Sequence, residues 1–271
     1  MGKFKMYWSE FNKTLRGDYR LKIPLPKIYT VLIDEVFPDL DKNIGWEIKG
    51  RKYAYTYISR REDQSVIDEI KNFLELLELH YYVTPHTMVL KEVGRYVDQC
   101  FALGMTYVEK NGVVSNERSE IYNLIYQTKK KPDLDALSKL NSALKEFVLN
   151  HSNYRNCDLV VPEPGNPGKQ FHLAEVLGKN LAKSLDMELS ELKKTRNTKK
   201  AKEMRMDEKI NVSDGVYKSR LGFDGKNILL IDDTYQSGTT MYRMAEYLKM
   251  NGAKKVYGLV TSKTWRDDHN K

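Results

Sequence analysis

Residues 228–240 constrain this chain more than any other stretch. They read Ile228-Leu229-Leu230-Ile231-Asp232-Asp233-Thr234-Tyr235-Gln236-Ser237-Gly238-Thr239-Thr240. Four consecutive apolar residues suit a central strand buried on both faces. An acidic pair then stands at the strand's carboxyl end, and a hydroxyl-rich turn follows. Met241, Met244, Ala245 and Leu248 recur at helical spacing, and Gly252 closes the helix. In open α/β sheets, ligands bind outside the carboxyl ends of the strands.

The chemistry of the stretch follows from its residue types. A turn running into a helix N-terminus offers backbone N–H groups and the positive end of the helix dipole to an anion. Ser237, Thr239 and Thr240 add hydroxyl donors, and Gly238 lets the backbone approach a phosphate closely. Asp232 and Asp233 repel that phosphate. They accept hydrogen bonds from sugar hydroxyls and reach a metal ion through water. A ligand with a phosphate at one end and a ribose diol beside it satisfies both parts.

The stretch resembles the phosphoribosyl-diphosphate (PRPP) signature of type I phosphoribosyltransferases. Tyr235 is similar to the ComF-like branch of that family. The resemblance implies that Asp232 and Asp233 hold the ribose hydroxyls and Mg²⁺. It also implies that Thr234, Gln236, Ser237, Gly238, Thr239 and Thr240 bind the 5′-phosphate. Two positions depart from the pattern: Thr234 is polar where the family carries an aliphatic residue, and Gln236 replaces a small hydroxyl or acidic residue.

At 271 residues and 41% hydrophobic content, the chain has material for one or two domains with a sizeable core. Its net charge of +8 suits an anionic partner, either phosphate or nucleic acid. Only two cysteines occur, and no Cys/His cluster has zinc spacing. Cys157 opens an apolar strand and is expected to be a buried thiol. No long apolar span is present, so no membrane is expected and a cytoplasmic location is.

Residues 1–100 carry no nameable motif and are expected to form a smaller N-terminal domain, either α/β or winged-helix-like. Lys49-Gly50-Arg51-Lys52 is a turn, and Tyr53, Tyr55 and Tyr57 follow at period two. The expectation is that these rings pack into the core. The alternative is a basic and aromatic surface that stacks on single-stranded nucleic acid. Ser65 and Asp68 have the spacing of a helix capping pair, ahead of an apolar face at Val66, Ile67, Ile70, Leu74 and Leu77. Short strand-like runs at Tyr81-Tyr82-Val83 and Met88-Val89-Leu90 follow.

From about residue 101 the pattern changes. Phe101–Val108 is strand-like, and Asn111-Gly112 is a turn signal. Glu120–Lys129 resembles the ComF-like opening, in which a short apolar helix precedes a lysine. Pro132 and Asp133 start a helix with Leu137, Leu140, Leu144 and Phe147 on one face. Asp158–Pro162 is the next buried strand, and Glu163-Pro164-Gly165-Asn166-Pro167-Gly168-Lys169 is a loop too rich in Pro and Gly for either regular element. Leu173, Leu177, Leu181 and Leu185 mark the helix after it.

This strand-loop-helix also resembles the family, whose pyrophosphate loop follows such a strand. The implied pyrophosphate contacts are Pro164, Gly165 and Lys169. Glu163 is an odd neighbour for a pyrophosphate and is a candidate metal ligand instead. Residues 193–209 are dense in cations and lack an apolar face. They are either a solvated loop or the flexible lid that the family closes over its diphosphate, with Lys194 as a catalytic cation. Gly215-Val216-Tyr217 resembles the family's return from that lid.

The resemblance covers about residues 101–265. It implies a domain over 101–271 with a mostly parallel, doubly wound α/β sheet of the type I phosphoribosyltransferase kind. The implied activity is transfer of a phosphoribosyl group from PRPP to a nitrogen nucleophile, releasing pyrophosphate, with Asp232, Asp233 and Lys194 as the catalytic group. The alternative is a catalytically weak nucleotide sensor, in defence or DNA uptake, whose N-terminal domain binds nucleic acid or protein. A homodimer or protein partner fits both.

Overall fold

The computed structural model describes residues 3–4, 6, 9–24, 28–50, 52–83, 96–110, 113–130, 133–168, 171–195, 216–219, 222–236 and 238–264. Of the sequence expectations, Met88–Leu90, the Asn111-Gly112 turn, Pro132, Lys169, Gly215, Ser237 and residues 196–209 of the lid segment lie outside them. The chain divides into a unit of residues 4–79 with 150–153, and a larger unit holding 80–149 and 154–271.

The smaller unit is an antiparallel sheet with two helices. Its elements are β1 (Glu10–Lys13), β2 (Tyr19–Pro24), α1 (Ile28–Val36), β3 (Glu47–Lys49), β4 (Tyr53–Ile58) and α2 (Gln64–Leu79), with strand order β1-β2-β4-β3. Leu21, Ile23, Ala54 and Ile58 are buried from the sheet, and Leu32, Ile33, Ile67, Ile70, Phe73 and Leu77 from the helices. Two expectations need correction. The period of two along β4 is present, but the buried set is Ala54, Thr56 and Ile58, and the rings of Tyr53, Tyr55 and Tyr57 lie on the half-buried outer face. There they contact one another, with centroids 6.3 and 6.0 Å apart. The cap of α2 is Asp63, not Ser65: its Oδ1 accepts the Ser65 amide at 2.8 Å and the Ser65 hydroxyl at 2.9 Å.

The larger unit begins with β5 (Tyr81–Val83), β6 (Gln99–Met105), the hairpin β7 (Tyr107–Lys110) and β8 (Val113–Arg118), α3 (Glu120–Lys130) and α4 (Leu134–Asn150). The strand expected over 101–108 is interrupted at Thr106, and its second half joins the hairpin. Then come β9 (Leu159–Pro162), α5 (Leu173–Leu185), β10 (Glu188–Leu189), β11 (Lys193–Lys194), β12 (Tyr217–Lys218), β13 (Asn227–Tyr235), α6 (Thr239–Met250) and β14 (Lys255–Lys263). One sheet runs from the short edge strand Lys3–Phe4 through β5-β6-β14-β13-β9 to β10. β6, β14, β13, β9 and β10 are parallel, and β5 pairs antiparallel with β6. That pairing places residues 80–83 in this unit, where the sequence division stood near 100.

The sheet is covered on both faces, which is why its strands are apolar throughout. On one face, Cys100, Ala102, Ile228, Leu230, Val256 and Val260 form a core with Met241, Met244, Ala245 and Leu248 of α6. On the other, Phe101 packs against Phe147 of α4, with ring centroids 5.3 Å apart. Gly178 lets α5 lie close on β9: a Cβ there would come within 2.7 Å of Pro162. This contact fixes where the loop after β9 leaves the sheet. The fold is α/β, mostly parallel and doubly wound, with a smaller antiparallel N-terminal domain.

Candidate functional site at the carboxyl end of the sheet

The signature strand is longer than its apolar run. Asp232, Thr234 and Tyr235 still pair with Val260, Ser262 and Lys263 of β14, so Thr234 is a strand residue rather than part of the turn. Gly238 has φ +80 and is the N-cap of α6, with no side-chain cap bond. A Cβ at Gly238 would lie 2.2 Å from the Tyr235 hydroxyl and 2.8 Å from Tyr242, so both conformation and space demand glycine. The first intrahelical bond is Tyr242 N–H to Gly238 C=O at 2.9 Å. The opening amides of α6, beside Thr239 and Thr240, precede it, the arrangement that suits an anion at a helix start.

The two aspartates have different surroundings. Asp233 is 13% exposed at its side chain, and its Oδ1 accepts from Lys129 Nζ at 2.9 Å. Lys129 comes from α3, 104 positions away in the sequence. Asp232 accepts the Asp233 amide at 2.7 Å. Burial pushes the Asp232 carboxyl well above the ordinary carboxylate range, and the charges of Glu163 and Asp233 add to the effect.

Glu163 stands at the end of β9, the strand beside β13, and its amide continues the ladder to Ile231 C=O at 2.8 Å. Its Oε1 accepts from Lys194 Nζ at 2.5 Å, and its Oε2 lies 3.1 Å from His172 Nε2. Lys194 is therefore ion-paired within the chain, in a short antiparallel ladder with Tyr217. Burial, followed by the charges of Glu163 and Asp232, holds the Tyr217 hydroxyl above its ordinary pKa. Gly165 donates its amide to Glu175 Oε1 at 2.7 Å. Pro164 is buried, and Gln236 is half-buried.

The structure thus brings Asp232, Asp233, Gly238, Thr239 and Thr240 to one strand-to-helix junction, with Glu163, Pro164, Gly165 and Lys194 at the neighbouring strand end. Lys129, His172, Glu175 and Tyr217 join them. Sequence spacing gave no site signal for the last three, and Lys129 was marked only as a lysine after a short helix. Among the described residues, no three His, Cys, Asp or Glu side chains converge as a metal cage, and no helix is long and apolar enough to cross a membrane.

No curated protein matches the chain. Solved structures with a partial likeness include phosphoribosylpyrophosphate synthetase from Mycobacterium smegmatis, 19% identical over 45% of this chain at a TM-score of 0.32. This chain spans 33% of that synthetase's length. Orotate phosphoribosyltransferase from Aeropyrum pernix is 18% identical over 65% of this chain and 79% of its own, with a TM-score of 0.34. APRTase from Giardia lamblia, complexed with 9-deazaadenine, is 16% identical over 59% and 79%, with a TM-score of 0.35. Residues 173–263, from α5 to the end of β14 and including the acidic pair and the start of α6, match the family model of the phosphoribosyl transferase domain.

Proposed function

We propose that the junction of β13 and α6 binds the ribose 5-phosphate part of PRPP or of a nucleotide, and that the chain transfers a phosphoribosyl group to a nitrogen nucleophile, releasing pyrophosphate. One observation carries this reading. An acidic pair at the carboxyl end of a central parallel strand is followed, within a short turn, by a glycine-capped helix start. The matched phosphoribosyl transferase domain covers the same residues. Asp232 and Asp233 accept from the ribose hydroxyls. The opening amides of α6, with Thr239 and Thr240, hold the 5′-phosphate.

The donor set also fits Mg²⁺, which takes one or two carboxylates and completes its shell with ligand phosphates and water. Asp232 and Asp233 would hold it. When bound, it supplies charge neutralisation of the leaving diphosphate. Asp232 supports this fit, since it is half-buried beside the charges of Glu163 and Asp233 and gains from a cation brought in with the ligand.

The test is pyrophosphate release from PRPP and Mg²⁺ across a panel of nucleobases and other nitrogen acceptors. Release that depends on one acceptor, and that is lost in Asp232→Asn/Asp233→Asn, supports the transferase. The rival is a nucleotide sensor without transfer. The pairing of Lys194 with Glu163 favours it, because a catalytic cation is then already neutralised. Ligand binding without release for any acceptor decides for the sensor. Nucleic-acid binding by residues 4–79 draws no support from charge, since acidic and basic residues balance over that range.

A further inference from the structure

Three groups suited to an anion gather beside the end of β9, from the loop after it and from β11, and the chain's own carboxylates already hold each of them. Lys194 Nζ and His172 Nε2 lie 2.5 and 3.1 Å from the two oxygens of Glu163. The Gly165 amide is held at 2.7 Å by Glu175. The cluster is shielded: the side chains of Lys194, Glu163 and His172 are 7, 11 and 17% exposed. It also stands beside the acidic pair, because β9 and β13 are adjacent and parallel, with Pro162 opposite Ile231.

We propose that Glu163 determines the ligand preference of this site: it occupies Lys194 and His172 as an internal anion, and so weakens the hold on a diphosphate beside the ribose relative to a lone 5′-monophosphate at α6. The inference rests on the ribose-phosphate reading given above. A diphosphate entering next to the acidic pair has to take Lys194 and His172 from Glu163. It then sits beside the released Glu163 carboxylate and Asp232, and like charges that close repel strongly where water is largely excluded. A 5′-phosphate on the opening amides of α6 meets none of these groups.

Calorimetric titration of the full chain with inorganic pyrophosphate, PRPP and AMP, each with Mg²⁺, tests the inference. Glu163→Gln keeps an acceptor for Lys194 and removes the charge. It is expected to tighten pyrophosphate and PRPP binding by about tenfold or more and to change AMP binding by far less. Adding Lys194→Met is expected to cancel the gain. Glu175→Gln loosens the hold on the Gly165 amide without touching Lys194, and is expected to shift binding in the same direction by less. It also decides the matter if Glu163→Gln does not fold: no gain then overturns the inference. AMP binding that persists with no gain for pyrophosphate in Glu163→Gln overturns the inference and leaves the ribose-phosphate site standing. Failure of the wild-type chain to bind either AMP or PRPP overturns both.

Discussion

Asp232 carries the strongest tension between stability and function. Its folded carboxyl binds a proton more tightly than the unfolded chain does, because burial and the charges of Glu163 and Asp233 oppose ionisation. Over the range between the unfolded and folded values, the native state holds the extra proton, so stability falls as pH rises. Above the folded value the cost of the buried charge is fully present. Asp232→Asn is therefore expected to raise Tm at neutral pH in the absence of divalent cations, and its advantage over wild type is expected to shrink as pH falls towards 4. Thermal melts from about pH 4 to 8 check this; an advantage that does not change with pH contradicts it. Gly238 gives a second prediction. Alanine there must adopt φ +80 and displace the Tyr235 hydroxyl. Gly238→Ala is expected to cost about 1–3 kcal/mol of stability, measured by urea unfolding, and to weaken AMP binding.

At the scale of elements, the outer face of β4 separates period from burial. Tyr55→Ala removes a ring from a half-buried ridge, so a loss near 1 kcal/mol is expected, against about 3–5 kcal/mol for Phe73→Ala in the core of the same unit. Equal losses in chemical denaturation would return the tyrosines to the core. The sequence made the alternation along β4 legible, but not its direction, because tyrosine is amphipathic and suits either face. The buried strand at 159–162, the helix at 173–185 and the strand-to-helix junction at 231–239 were legible because each has a period, a run or a punctuating residue of its own. The Lys129–Asp233 pair and the Glu163 cluster were not. Their partners come from separate elements, and no local spacing encodes a contact made by sheet order. Thr234 shows a smaller limit: the apolar run ends at Ile231, yet pairing with β14 carries the strand on to Tyr235.

Across the whole molecule, charge and family match point to the same part of the chain. Acidic and basic residues balance over 4–79, so the net charge of +8 arises outside that range, where the proposed ribose-phosphate junction also lies. A basic unit around an anion site raises the local concentration of its ligand, and salt weakens that attraction. PRPP affinity is accordingly expected to fall between low and physiological ionic strength. The account stands or falls on the acidic pair beside the start of α6. Hydrogen bonds to charged groups contribute about 1.5–3 kcal/mol each. Titration of PRPP with Mg²⁺ into the wild-type chain and into Asp232→Asn/Asp233→Asn, both confirmed as folded by circular dichroism, measures that contribution directly. The predicted result is binding by wild type and an affinity at least about tenfold weaker in the variant; equal affinity in the two proteins would contradict the assignment of the site.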